Sequence, residues 1–367
     1  MKQVLVIGVV AALAAAAPAY AQQSAQNPPG QSGQPYKAPR NSFGQPDFTG
    51  AWSNASLTPQ VRPAAYGARS VHTPEEVRIL EGAQDEKLAK GNLPTDVNAG
   101  AIDASGNVGA YDRGWVDNGV RLSRVNGQPR TSMITTPDGQ APPRKGEPPR
   151  SLPANAGSPE AGAEAARIAA ARDMFEGQGS AAAARAGSYD NPESRGTGER
   201  CLIGFGRSAG PPMFPNGWYN NNYQIVQSKD AVSITIEMVH DTRIVRLNDK
   251  HRTDGLRPWF GDSIGWYEGD TLVVETTNMP QRMAYMGSWE NLKVTERFTR
   301  AGKDRLLYRF TVEDPTMWDK PWGGEYEFTP TNGQLHEYAC HEGNYALEGI
   351  LAGAREEERL AARAAAR

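Results

Sequence analysis

The chain is short of the features that announce most chemistries. Its 367 residues contain no Gly-x-Ser-x-Gly elbow, no Walker loop and no dinucleotide fingerprint, and Gly204-Phe205-Gly206 is not followed by a helical pattern. Hydride and phosphoryl transfer through the familiar loops are therefore disfavoured. It also lacks a basic block interleaved with aromatics. The 39 Lys and Arg are scattered among 42 Asp and Glu, for a net charge of -3. A polyanion has no patch to bind, so nucleic acid is not an expected partner. Only 5 histidines occur, and although His240, His251, His336 and His341 stand near acids, no pair has zinc-motif spacing. No metal and no cofactor is expected. Internal repeats are absent, and nothing in the pattern speaks to oligomeric state.

The one long apolar run lies at the start. Lys2 is a minimal positive region, Val4 to Ala17 is apolar, and Ala19-Tyr20-Ala21 is a small-x-small cleavage site. Residues 1–21 read as a signal peptide, because Gln22, Gln23 and Ser24 end the run short of the roughly 20 residues a membrane span needs. The expected location is periplasmic or secreted, with no transmembrane segment in the mature chain. No Cys follows that could carry a lipid anchor. Removing Lys2 shifts the net charge from -3 to -4. Residues 22–44 are Gln, Pro, Gly and Ser with little to bury, a flexible leader. Cysteine is almost absent as well, with 2 residues, Cys201 and Cys340. An even count in an oxidising compartment favours one bridge over two separately buried thiols.

Period-2 patterning dominates the second half. Ala231 to Val239 alternates Val232, Ile234, Ile236 and Met238 against Ser233, Thr235 and Glu237. This is a half-buried strand, with His240 on the apolar parity and Asp241 on the polar one. Tyr223–Val226, Arg243–Leu247, Thr271–Thr277, Leu292–Thr299, Arg305–Val312, Glu325–Phe328 and Leu335–Ala339 read as further strands. The spacing, with turn residues between and no interposed helices, implies an antiparallel meander. The expected fold is mainly β with peripheral helices, an antiparallel calycin-like barrel or sandwich. It spans residues 45–355 as a single β-rich domain with an irregular and helical insertion at about 60–200, and residues 356–367 form a helical tail. Within the insertion, Thr73-Pro74-Glu75-Glu76 is a capping box opening a helix, and the Ala-rich stretch Glu160–Ala186 forms another. Gly50-Ala51-Trp52 resembles the lipocalin feature in which an indole plugs the closed end of a barrel.

The candidate site follows from charged residues placed where strands usually exclude them. Glu237, Glu275 and Glu296 lie inside strands, where a charge must face water, a partner or a cavity. One reading makes them solvent-face ion pairs worth about 0–1 kcal/mol each. The other gathers Arg243, Glu268, Asp270, Arg297, His341 and Glu342 at a barrel mouth, with Tyr223, Trp259, Trp266 and Tyr345 (and Trp218 and Tyr219) as stacking walls around a small molecule. His240 with Asp241 or Glu296 could then act as acid and base.

Four stretches carry a resemblance: Tyr219-Asn220-Asn221-Asn222-Tyr223-Gln224-Ile225; His240-Asp241-x-Arg243-Ile244; Gly261-Asp262-Ser263 through Glu268-Gly269-Asp270-Thr271 to Glu275-Thr276; and Tyr338-Ala339-Cys340-His341-Glu342-Gly343-Asn344-Tyr345. Over about Arg200–Arg355 the chain resembles a broad group of exported bacterial proteins with no established activity. The resemblance implies that Cys201 and Cys340 pair, and the group's usual Gly-Arg-Pro-His turn is replaced here by Lys250-His251-Arg252. The leading expectation is an exported barrel that binds a small, partly apolar molecule. A periplasmic hydrolase, lyase or isomerase is the alternative, and a subunit docking on an envelope complex through the helical insertion is a third.

Overall fold

The structure, a computed structural model, describes residues 36–91, 117, 119–147, 189–204, 207–216, 219–332 and 334–366. The signal peptide, most of the leader, the Glu160–Ala186 helix and Trp218 lie outside the described residues.

Nine strands close into a barrel. The first, β1 (Gly50–Ser53), pairs with β4 (Asn222–Gln227) on one side and with the last, β11 (Trp322–Pro330), on the other. Between them run β5 (Ala231–Ile236), β6 (Thr242–Leu247), β7 (Asp262–Glu268), β8 (Thr271–Thr277), β9 (Lys293–Gly302) and β10 (Arg305–Glu313), each beside its sequence neighbour. A ring of nine cannot alternate direction throughout, because an odd ring leaves one pair of like direction. That pair is β6 and β7, joined in parallel with Val245 opposite Ser263. The purely antiparallel expectation is corrected at this one place. A parallel neighbour needs a crossover of about a dozen residues or more, and residues 248–261 supply it.

The crossover is tied down by His251. Its ring nitrogens lie 3.0 Å from Asp262 and 3.2 Å from Glu275, and Arg246 stands 3.2 Å from Asp262. The strands themselves form where alternation is strict, and β8 coincides with the expected Thr271–Thr277. β5 stops at Ile236, earlier than the pattern implies, because Met238–His240 is a tight turn in which Val239 and His240 adopt φ of 54° and 46°. Left-handed backbone is unfavourable for a β-branched residue, so only the surrounding packing holds it. Leu335–Ala339 forms no strand. The barrel is already closed by β1, which leaves that segment no edge to join.

Among the described residues, two α-helices sit outside the barrel. α1 (Pro74–Gly91) opens with the capping box, Thr73 Oγ1 accepting from Glu76 N–H at 3.2 Å and Glu76 accepting from Thr73 N–H at 2.8 Å. α2 (Tyr345–Ala365) buries no side chain, with Leu347, Ile350 and Leu351 half-buried. Neither helix, among the described residues, is long and apolar enough to cross a membrane. A two-stranded hairpin, β2 (Arg124–Val125) and β3 (Gln128–Pro129), and the chain flanking it cover the part of β11 that β1, paired only at Thr329 and Pro330, does not reach. There Glu325 N–H donates to Met133 O at 2.8 Å and Glu327 N–H to Ser123 Oγ at 2.8 Å.

Inward faces follow from the register. Ile234, Val245, Val274, Phe298, Tyr308 and Phe328 belong to one continuous buried cluster. Trp52 also points inward, donating from Nε1 to Phe48 O at 2.9 Å beneath the Arg300 guanidinium, 5.1 Å from its ring. The lumen is not an open cup. Residues 207–214 are all buried and lie across the inner face: Met213 N–H donates to Tyr308 OH at 2.9 Å, Tyr326 OH to Met213 O at 2.9 Å, and Tyr223 OH to Ser208 O at 2.7 Å.

Candidate functional site

Inside this apolar, aromatic barrel lies one ionic group of residues. Arg243 projects inward from β6, level with Ile234, and Glu296 projects inward from β9, level with Val274 and Phe310. Two strands, β7 and β8, separate them in the wall, so the ion pair spans the lumen. Arg243 Nη2 meets Glu296 Oε2 at 2.7 Å, with the two side chains 2% and 0% exposed. Tyr308 OH donates to the other carboxylate oxygen at 2.7 Å. Asn54 Nδ2 links the phenols of Tyr223 and Tyr326 at 3.0 and 3.3 Å. Burial holds all three tyrosines above the ordinary phenol range, and the Glu296 charge adds to the effect.

Arg207, at the start of the inner segment, completes the set. It donates to Met283 O at 3.0 Å and to Pro211 O, and its guanidinium stacks 4.7 Å from the centre of the Tyr285 ring. Burial lowers its pKa to about 10, and the nearby positive charge of Arg243 acts in the same direction. Such a guanidinium stays charged at neutral pH.

The expected site residues thus separate. Arg243, Glu296 and Tyr223 come together in the lumen. Trp266, Glu268 and Arg297 form a cluster on the outer wall, where Trp266 Nε1 donates to Glu268 at 3.0 Å and Arg297 meets the same carboxylate at 2.8 Å. Asp270 pairs with Arg40. Trp259 is 44% exposed on the crossover and Tyr345 is 80% exposed at the start of α2, beside exposed His341 and Glu342. Mutual stacking around one ligand is therefore not available to Trp259 and Trp266. Trp266 alternates with inward-facing Gly265, and Trp259 lies off the sheet.

His240 is exposed, and no hydrogen bond joins it to Asp241 or Glu296. Asp241 faces the other way, accepting from Gly204 N–H at 2.8 Å, and burial pushes its carboxyl up to about 7. Glu327 is pushed up to about 7 by burial against the weaker opposing effect of Arg305 at 3.5 Å. Both carboxyls are raised above their unfolded values, near 4, so in the folded state they hold protons that the unfolded chain releases. Their contribution to stability is present below about pH 4 and is lost as pH rises toward 7. The Asp241→Asn variant should therefore flatten the pH dependence of the urea midpoint between pH 4 and 7, a difference on the order of 2 kcal/mol once partial solvation is allowed for. Parallel curves for variant and wild type would refute the assignment.

Arg207, Asn54, Tyr308 and Tyr326 were not among the expected site residues. The two tyrosines lie in stretches read only as strands, Arg305–Val312 and Glu325–Phe328, and Asn54 carries no pattern of its own in the sequence. Arg207 had a faint signal: it heads Ser208-Ala209-Gly210-Pro211-Pro212-Met213-Phe214, a run without charge and too rich in Pro and Gly for a strand. Among the described residues, no three His, Cys, Asp or Glu side chains are grouped to hold a metal ion. Compared with protein-family models, curated proteins and solved structures, the chain matches none.

Proposed function

We propose that this protein is an exported barrel, periplasmic or secreted, that binds a small, partly apolar molecule in its lumen on the platform of Arg243, Glu296 and Tyr308. Export is supported by the leader pattern of residues 1–21. The observation that carries the binding reading is an ion pair laid across a largely apolar, aromatic interior. Stability gives no reason for it, since well-packed hydrophobic residues of similar volume usually serve as well or better. Fixed polar groups among aromatic walls are what small-molecule sites use to orient a ligand.

The acid–base alternative, a hydrolase, lyase or isomerase, retains Asp241 as a carboxyl poised near neutral pH. It loses the expected partnership, because His240 turns to solvent and Glu296 is held by Arg243. Binding is therefore the better supported reading. Thermal unfolding of the mature chain in the presence of disaccharides, fatty acids, aromatic acids and aromatic amides tests it. At least one class should raise the melting temperature saturably, by roughly 3–5 °C when the compound is at about 100 times its Kd. A flat response to every class sinks the proposal.

A further inference from the structure

The lumen holds more positive charge and more hydrogen-bond donors than the protein itself neutralises. Arg207 and Arg243 contribute two positive charges and Glu296 one negative, a balance of +1, and the other side chains acting on Arg207 are the tyrosines Tyr285 and Tyr308. The donors are similarly in excess. Among the described residues no protein acceptor meets Arg243 Nε, Arg243 Nη1, Arg207 Nε or Trp322 Nε1, all of them buried, whereas Asn54 Oδ1 is a buried acceptor without a donor. Four buried donor nitrogens thus stand without a protein acceptor. A buried donor left without an acceptor carries an uncompensated desolvation cost, so a bound group rich in acceptors has a gain to make here.

Resting on the binding reading above, we infer that the ligand is a monocarboxylate with a flat apolar body. A carboxylate offers acceptors only and matches the planar guanidinium fork. One negative charge cancels the +1 balance, whereas a phosphate dianion would leave a net negative charge in the same apolar space. Sugars and amides bring donors of their own, which a site already in excess of donors does not favour. The apolar body is matched by the ring cluster that begins at Tyr285, on which Arg207 stacks. Tyr285 stacks with Trp322 at 5.9 Å, Phe310 meets Trp322 edge-on at 6.4 Å, and Phe214 meets Phe310 edge-on at 5.1 Å.

Calorimetric titration of the mature chain with benzoate, benzamide, acetate and inorganic phosphate, in chloride-free buffer, provides the test. Benzoate should bind about tenfold or more tighter than benzamide, the usual scale for a charge-assisted bond replacing a neutral one. Acetate should compete with it weakly and phosphate not at all. The Arg243→Met, Glu296→Leu double variant, which removes both charges together, should bind benzoate about tenfold more weakly. If benzamide binds as well as benzoate, the lumen is a site for neutral molecules and the carboxylate assignment is wrong while binding itself stands. If phosphate matches benzoate, the monoanion argument fails. If none of the four binds and no compound class shifts the melting temperature, both readings fall. The comparison of probes needs only the wild-type chain, so it decides the matter even if the double variant does not fold.

Discussion

Replacing Glu296 by alanine should cost about 3–5 kcal/mol of folding stability, more than any other single side-chain truncation in the strands that line the ion pair. The carboxylate is fully buried, accepts from Arg243 and Tyr308, and is the one negative charge facing two buried guanidiniums. Removing it leaves Arg243 with no protein acceptor at any guanidinium nitrogen and Tyr308 without its partner. The value of the interaction is not the same quantity. Changing Arg243→Met and Glu296→Leu together eliminates both desolvation costs and fills the volume with apolar groups, so the double variant should be more stable than either single one. Urea unfolding of the four proteins, with slopes compared to confirm that compactness is unchanged, gives the cycle directly. A single-variant loss under about 1 kcal/mol would mean that water reaches the pair, and the buried-site description would fail with it.

The barrel was legible because period-2 alternation is a local property. Thr271–Thr277, Arg305–Val312 and Tyr223–Val226 stand in strands within a residue or two of where the pattern puts them. The pattern fails where the backbone leaves the pleat. Val239 and His240 turn left-handed, so inward parity passes from even residues in β5 to odd residues in β6. That shift sends Arg243 inward and leaves Ile244 56% exposed, the reverse of what hydropathy suggests. The disulfide was expected from the even cysteine count and stands at Cys201–Cys340.

The site was half legible. Charge inside strands drew attention to Arg243 and Glu296, which meet across the lumen, yet neighbours in sequence alternate across the wall, so Arg297 and Glu268 face outward while Glu296 faces in. Residues that meet across a lumen come from strands far apart in the chain, and single-sequence periodicity carries no information about that pairing. Nor does it show that residues 207–214 fold back inside, since backbone polar groups in a buried loop are satisfied by side chains contributed from several strands. Here those are Tyr223, Tyr308 and Tyr326.

Removing the bridge should release the end of the chain while the barrel stays folded. Cys201 and Cys340 are 139 residues apart, and a loop of that length gives about 5 kcal/mol on the chain-entropy model. That figure applies only if the whole chain unfolds as one unit, and the bridge secures a weakly held piece. α2 buries no side chain, and beyond the sulfur bond the tail is held, among the described residues, by Tyr338 stacking on Tyr219 at 6.1 Å and by a few polar contacts: His336 N–H to Glu237 at 2.9 Å, Asn344 Nδ2 to Glu199 O at 2.7 Å, and Arg355 to Tyr189 O and Asp190 O at 3.0 and 3.3 Å. Bonds of this kind contribute about 0.5–1.5 kcal/mol each before the entropy of ordering more than twenty residues is subtracted. In the Cys201→Ser, Cys340→Ser variant, local opening of the tail should therefore precede global unfolding. Limited proteolysis should trim the chain after about residue 334 at least tenfold faster than wild type, while the barrel fragment keeps most of its cooperative urea transition. If tail and barrel are lost together in one step, the tail is integral to the barrel and the bridge acts on global stability.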